Sequence, residues 1–310
     1  MPDSGSKTFI LNHSKKAASL DWPPPLHEGR QRFIASLNDS HIMQLQGLRS
    51  DARRSPSQYA LPWWCGKQLM GYLPRTHVAP LLQVLPGAHA DANCLRWNSW
   101  CARADDRSRY LESALVQLRK NGLLRGWRNE RFSFWSHEAL APQTAGEDFV
   151  HIERAGFLFL GMLSHAVHIN GFTPDGHLWC GQRSATKATD PGLWDNLSAG
   201  GLPTGESLLD CAARELWEEA GLVPSATALL QAAGSIRISQ ASAGGWHDEV
   251  LHVYNLPLPE GFAPRNQDGE VQAFAKFSAP AVMERIAAGQ FTSDAALAIA
   301  QGLLAAHSIP

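Results

Sequence analysis

Long apolar runs are missing from this 310-residue chain. No stretch approaches the roughly 18 apolar residues that span a bilayer, so no membrane partner is expected. An excess of charge is missing too: 27 Lys plus Arg face 29 Asp plus Glu, a formal charge of −2. That balance lacks the basic footprint of a nucleic-acid binder. Cysteine is scarce, with five residues, Cys65, Cys94, Cys101, Cys180 and Cys211, and no C-x-x-C pair among them. Zinc-ribbon and thioredoxin-like motifs are thereby excluded. An odd count without a framework suits a reducing compartment, and the cytoplasm is the expected location. The N-terminal lysines have no apolar stretch behind them, so no secretory signal is read there. Residues 1–26, ending in Pro23-Pro24-Pro25, read instead as a disordered leader. No internal repeat of solenoid period occurs.

What is present describes an ordinary globular chain, 44% hydrophobic and 18% charged. At about 150 residues per domain the length suggests two domains with ample core. Apolar positions Phe33, Ile34, Leu37, Ile42, Leu45 and Leu48 predict one or two short helices over 27–48. Strand-like runs follow around Trp63–Leu73. Leu111–Lys120 is an amphipathic helix stopped by Asn121-Gly122. Gly126–Trp135 reads as a strand with alternating aromatics. The small, polar stretch Ala141–Glu147 is the expected linker. We therefore divide the chain into an α+β accessory domain at 27–145 and a second domain at 146–310. In the second, strands are expected at Ala166–Asn170, Leu178–Arg183, Gly234–Gln240, Glu249–Leu256 and Val271–Phe277. Pro174-Asp175-Gly176 marks a turn, and Ala295–Ala306 a terminal helix.

The chemistry concentrates in Gly200–Leu222, GGLPTGESLLDCAARELWEEAGL. Ser207 and Asp210 form a capping pair for a helix beginning at Leu208, and Gly221 supplies its left-handed stop. At ~100° per residue, Leu209, Ala213, Leu216 and Ala220 share the face expected to pack on the sheet. Glu215, Glu218 and Glu219 crowd an adjoining arc, and no base follows Glu215 at i+4 to pair them. A divalent cation relieves that repulsion, and hard oxygen ligands select Mg²⁺ or Mn²⁺. Ala199-Gly200-Gly201 lets the backbone approach a ligand, with a carbonyl free to join the metal shell. Arg214 is placed to brace one glutamate.

This string resembles the Nudix box, G-x5-E-x7-R-E-U-x-E-E-x-G-U, at Gly200, Glu206, Arg214, Glu215, Leu216, Glu218, Glu219, Gly221 and Leu222. The flanks Lys187-x-Thr189-x-Pro191-Gly192, Asp195-Asn196, Leu256-Pro257-Leu258-Pro259 and Asn266-x-Asp268-Gly269-Glu270-Val271 resemble one branch of that family. So does Gly126-Trp127-Arg128-x-Glu130. The branch is the one related to the Nudix part of fungal thiamine pyrophosphokinase, and the likeness runs over about 28–306. It implies an α/β/α sandwich with a mixed sheet, preceded by a smaller α+β domain. It also implies a Mg²⁺-dependent diphosphatase acting on thiamine diphosphate or its oxidised analogues. Carried over by position, Glu215 and Glu219 resemble the main metal ligands, Glu218 an additional one, and the Ala199 carbonyl a backbone ligand. Glu219, or an acid from outside the box, either Glu249 or Glu270, resembles the catalytic base.

Arg183 and Lys187 are candidates for phosphate oxygens, with an ordinary surface role as their alternative. Of the eleven tryptophans, most belong in the core. Trp179 and Trp194, near the loop, are the two expected to offer a stacking face for an organic ring. His165 and His168 have ligand-like spacing but point to opposite faces of a strand, so a structural role is expected. The nine basic residues from Arg96 to Arg131 read as a solvated face, with a phosphate-facing patch as the alternative. Rival readings are a diphosphatase for a nucleoside diphosphate derivative and a catalytically silent ligand-binding module. Isopentenyl-diphosphate isomerase shares the fold but needs a cysteine and a glutamate flanking an alkene, and no matching motif is found.

Overall fold

The computed structural model describes residues 28–56, 58–98, 103–143, 147–187 and 189–305. The expected leader and Cys101 lie outside them. The chain opens with helices α1 (Glu28–Ala35) and α2 (Asp39–Ser50). Asn38 caps α2 by accepting from the His41 amide at 2.9 Å. Strands β1 (Ala60–Cys65) and β2 (Gln68–Pro74) follow, then α3 (Arg75–Val84), β3 (Ala88–Ala90) and β4 (Leu95–Trp97). These strands form a four-stranded sheet in the order β2-β1-β4-β3. Helix α4 (Ala104–Lys120) begins seven residues before the expected start and is followed by Asn121 and by Gly122, whose φ is +72°. Aspartates 105 and 106 suit its N-terminus and Arg119 and Lys120 its C-terminus.

Next come β5 (Arg131–Phe134), β6 (Val150–Glu153) and the short α5 (Ala155–Leu160). The second half holds β7 (Ser164–Phe172), β8 (Leu178–Arg183), β9 (Trp194–Asp195) and β10 (Ser198–Gly201). Then come α6 (Leu208–Ala220), β11 (Gln231–Ser242), β12 (Gly245–Pro257), β13 (Val271–Phe277), α7 (Ala279–Ala287) and α8 (Ser293–Leu304). Its sheet runs β11-β12-β7-β8-β13, with β10 on β7 and β9 on β8. β12 is parallel to β7 while the other pairs are antiparallel, so the sheet is mixed, as expected.

The two faces of this sheet are covered by different helices. On one, α6 packs Cys211, Ala212, Leu216 and Ala220 against Val167, Ile169 and Leu256. On the other, α8 places Leu297 and Ala298 against Ala166, Leu251 and Val253. The expected apolar stripe of α6 is rotated: Leu209 is 54% exposed, and Cys211 and Ala212 take the buried place. Ser207 accepts from the Asp210 amide and Asp210 from Ser207, as expected, and in the first turn Leu208 packs against the core while Leu209 faces out.

The division at 145/146 meets two contrary facts. The stretch 141–147 joins β5 and β6, which pair antiparallel from Arg131↔Glu153 to Phe134↔Val150. The chain on either side of it thus belongs to one antiparallel pair, and small polar residues suit a turn as well as a linker. The helices α1 and α2 also bury Phe33 and Leu45 beside Phe172, Leu178, Phe277 and Ile299 of the second half. Arg30 fixes that docking by donating from Nε to the Gly302 carbonyl at 3.0 Å and from Nη2 to Leu303 at 2.9 Å. This satisfies carbonyls at the end of α8 that have no helical partner.

Candidate active site

The acidic helix α6 is built around one guanidinium. Arg214 donates from Nε to Glu206 Oε1 at 3.0 Å and from Nη2 to Glu206 Oε2 at 3.1 Å. Its Nη1 reaches Glu215 Oε1 at 2.5 Å and Glu218 Oε2 at 3.2 Å. The acids are therefore not left without a base. Arg214 precedes Glu218 by four residues, and it braces three carboxylates where one was expected. Burial would lower the Arg214 pKa, but the Glu206 hydrogen bond and the Glu215 charge outweigh it and raise it.

Glu215 and Glu219 turn inward and are buried. The Ala199 amide donates to Glu219 Oε2 at 2.9 Å, so β10 holds one carboxylate. Gly200 lies against the other: a methyl group there would overlap the Glu215 carboxylate. Burial pushes the Glu215 carboxyl up to about 7, with Arg214 opposing and the charges of Glu218 and Glu270 adding. Burial and the Glu215 charge push Glu219 well above the carboxylate range, against the pull of Lys187. Burial also raises Glu218, with Arg214 opposing. Arg214 is one positive charge among the four carboxylates Glu206, Glu215, Glu218 and Glu219, so negative charge stays in excess. Hard oxygen donors on one helix, a glycine cradle beside them and uncompensated negative charge fit a divalent cation.

Of the two acids considered from outside the box, the structure brings Glu270 to the site and leaves Glu249 elsewhere. The Gln267 amide donates to the Glu218 carbonyl at 2.7 Å and the Arg265 amide to Ala220 at 3.0 Å. That pins the loop before β13 on the end of α6 and sets Glu270 within reach of the Glu215 charge. Glu270 pairs with Lys187 through Oε2, and Arg128 Nη1 lies 4.0 Å from Oε1. Burial disfavours its ionised form, but the Lys187 hydrogen bond, with the charges of Lys187, Arg128 and Arg154, holds the carboxyl below its ordinary value. Glu249 accepts from Ser164 Oγ at 2.7 Å. It clusters with His247 and Asp294, one ligand atom of each within 4.8 Å of the others. His247 and Glu249, two apart on β12, share a face, and Asp294 comes from the first turn of α8.

Other expected residues divide. Arg183 holds its own loop, donating to Asp195 at 3.0 Å and twice to the Thr189 carbonyl, at 2.9 and 3.2 Å. The ordinary structural role fits it better than phosphate binding. Trp179 and Trp194 do not make one stacking face. Trp179 packs with the α6 side of the core and Trp194 with the α7–α8 side, edge-on to Phe277 at 4.8 Å. His165 meets His252 at 3.0 Å and His168 meets Asn196 at 2.7 Å, both buried and structural as expected. Gly201 faces the first half: a methyl group there would strike the Phe132 ring. Arg128, Arg154, His247 and Asp294 escaped the residue-by-residue reading. Arg128 figured in it as part of a family string and as one of the basic residues between Arg96 and Arg131.

Residues 163–296 match the NUDIX domain family model. The chain is 35% identical over 180 residues to Nudix hydrolase 20, chloroplastic, of Arabidopsis thaliana, covering 57% of this chain and 46% of that protein. It is 31% identical over 215 residues to Nudix hydrolase 24, chloroplastic, of the same plant, covering 68% and 57%. It is also 32% identical over 136 residues to isopentenyl-diphosphate Delta-isomerase of Streptomyces coelicolor, covering 43% and 66%. The chain thus spans about half the length of the two plant relatives. No described helix is long and apolar enough to cross a membrane.

Proposed function

We propose that this chain hydrolyses a diphosphate bond in a small organic molecule, with thiamine diphosphate and its oxidised analogues as the substrate class. The observation that carries the reading is the buried pair Glu215 and Glu219, held by Gly200 and by the Ala199 amide beside Arg214. Glu215 and Glu219 would hold a divalent cation, Mg²⁺ or Mn²⁺, with Glu218 and the Ala199 carbonyl as further oxygen donors. When bound, that ion neutralises diphosphate charge and acidifies a water. Arg214 keeps the carboxylates aimed, because its fork bonds three of them at fixed angles. Glu270, kept ionised by Lys187 and Arg128, is the proton acceptor for the attacking water. The products are a monophosphate and inorganic phosphate.

The branch strings quoted above support the thiamine class, since a site that grips the reacting phosphates leaves selectivity to the organic pocket. Among the described residues every cysteine is buried, and none carries the likeness to an isomerase. Cys211 lies under the Gly200 and Gly201 carbonyls at 3.8 and 3.4 Å, and burial pushes its thiol up. Hydrolysis with Mg²⁺ of thiamine diphosphate, its oxo and oxy analogues, nucleotide sugars, dinucleotides and dNTPs tests the proposal. The highest kcat/KM is expected among the thiamine compounds. A preference for a dinucleotide or a dNTP over every thiamine compound overturns the substrate class, and no turnover of any diphosphate overturns the activity.

A further inference from the structure

Glu270 carries cations on both carboxylate oxygens, and they come from different halves of the chain. Lys187 precedes β9 and bonds Oε2. Arg128 precedes β5 and lies 4.0 Å from Oε1, with its side chain 49% exposed. One carboxylate thus faces two cations. The neighbouring Arg154 is matched separately by Glu130 at 2.6 Å and lies over the Phe132 ring at 5.2 Å. The balance around Glu270 is an excess of one positive charge, beside carboxylates that fit a divalent cation. At 4.0 Å and half exposed, the Arg128–Glu270 pair stabilises the fold little. The placement of Arg128 needs another explanation.

That placement is built, not incidental. Glu153, 1% exposed, accepts from the Arg128 amide at 2.9 Å and from the Glu130 amide at 3.3 Å. Asn129 between them takes a left-handed φ of +59°, a conformation asparagine tolerates better than most residues. The Arg154 amide closes the turn on the Glu130 carbonyl at 2.9 Å. β5 then docks on the loop that leads into α6. The Thr204 amide donates to the Arg131 carbonyl at 2.8 Å, and Ser133 Oγ meets Thr204 Oγ1 at 3.1 Å. Phe132 fills the space that Gly201 leaves open. A buried carboxylate and a strand contact therefore spend hydrogen bonds on holding an arginine over the acidic site, where its side chain makes only a loose contact.

We propose that Arg128 and Lys187 form a two-sided clamp for phosphate oxygens of the organic diphosphate, so that the active site is assembled from both halves of the chain. This rests on the diphosphatase reading. The planar guanidinium matches two oxygens of one phosphate, and the Lys187 ammonium acts as a point charge on the other side. Arg128 is a substrate-binding residue here, not a metal ligand, and it separates affinity for the anion from affinity for the cation.

The test uses the full chain, Mn²⁺ alone as one probe and imidodiphosphate, a diphosphate that resists hydrolysis, as the other. Titration calorimetry on wild type, Arg128→Gln and Arg128→Lys should show equal Mn²⁺ affinity in all three. With Mn²⁺ present, Arg128→Gln should bind imidodiphosphate about tenfold to a hundredfold more weakly than wild type, and Arg128→Lys should recover part of the loss. Thiamine diphosphate turnover should fall through a higher KM. If wild type binds imidodiphosphate and Arg128→Gln binds it equally well, the clamp is wrong and the diphosphatase reading stands. If wild type with Mn²⁺ binds no imidodiphosphate, both fall.

Discussion

Gly200 lies so close to Glu215 that a methyl group on it would occupy the space of the carboxylate. The glycine is required by a side chain of the same site, not by its own backbone angles. Gly200→Ala should push the carboxylate out of its cradle and weaken Mn²⁺ binding about tenfold to a hundredfold, the range for groups that orient a metal ligand. Thermal unfolding should move little, because the change is local. Unaltered Mn²⁺ affinity in Gly200→Ala would remove the cradle from the account.

Arg214 is the second lever on the same carboxylates. Lysine at this position keeps the charge but offers no fork to reach Glu206, Glu215 and Glu218 together. Arg214→Lys should therefore lower kcat about tenfold to a hundredfold with the fold retained by circular dichroism. Activity equal to wild type would show that charge alone is needed.

The buried His165–His252 pair predicts an acid limit on stability. Burial pushes His165 down to about 3, with the His252 and Arg237 charges adding, and burial pushes His252 down to about 4. Both rings are neutral in the fold, while the unfolded chain protonates them near 6.5. Between those values the unfolded chain binds more protons at these two rings, so their contribution to stability falls as pH drops from 6.5 toward 4. At pH 5 the loss is about 2 kcal/mol per ring. The raised carboxyls of Glu215 and Glu219 act in the opposite sense over the same range, so the pair is read by difference: from pH 7 to pH 5, denaturant unfolding should show His252→Gln losing about 2 kcal/mol less stability than wild type. The same pH dependence in wild type and His252→Gln would contradict neutral burial.

Phe33 tests how the first helix belongs. Its side chain is fully buried among Phe172, Leu178 and Phe277, far along the chain. Phe33→Ala should cost about 3–5 kcal/mol of global stability. If 27–145 were an independent unit, residues 146–310 would unfold at an unchanged midpoint in that variant.

The parts of this molecule that were legible in sequence are those whose signal is local. The capping pair Ser207 and Asp210, the left-handed Gly221 and the period of the glutamates set α6 from Leu208 to Ala220 without tertiary help. The bounds of β8 and β13 follow from short apolar runs between turn residues. The failures are tertiary. The loop 141–147 has linker composition, yet the pairing of Arg131 with Glu153 across it is invisible until the strands meet. Trp179 and Trp194 are near in sequence but are separated by the sheet. Glu249 and Glu270 are equal candidates on paper, and only the docking of the 265–267 backbone on α6 distinguishes them. Arg128 reaches the site through the buried Glu153, a contact that no spacing rule contains.

The central claim is that Glu219 is kept for its charge at a metal-dependent hydrolytic site, and one rate comparison tests it. Phosphate release from thiamine diphosphate at saturating Mg²⁺ should be measured for wild type and Glu219→Gln. The account predicts loss of most turnover in the variant, with its far-UV spectrum intact and the Ala199 amide still able to donate to the glutamine oxygen. Near wild-type turnover in Glu219→Gln would contradict it.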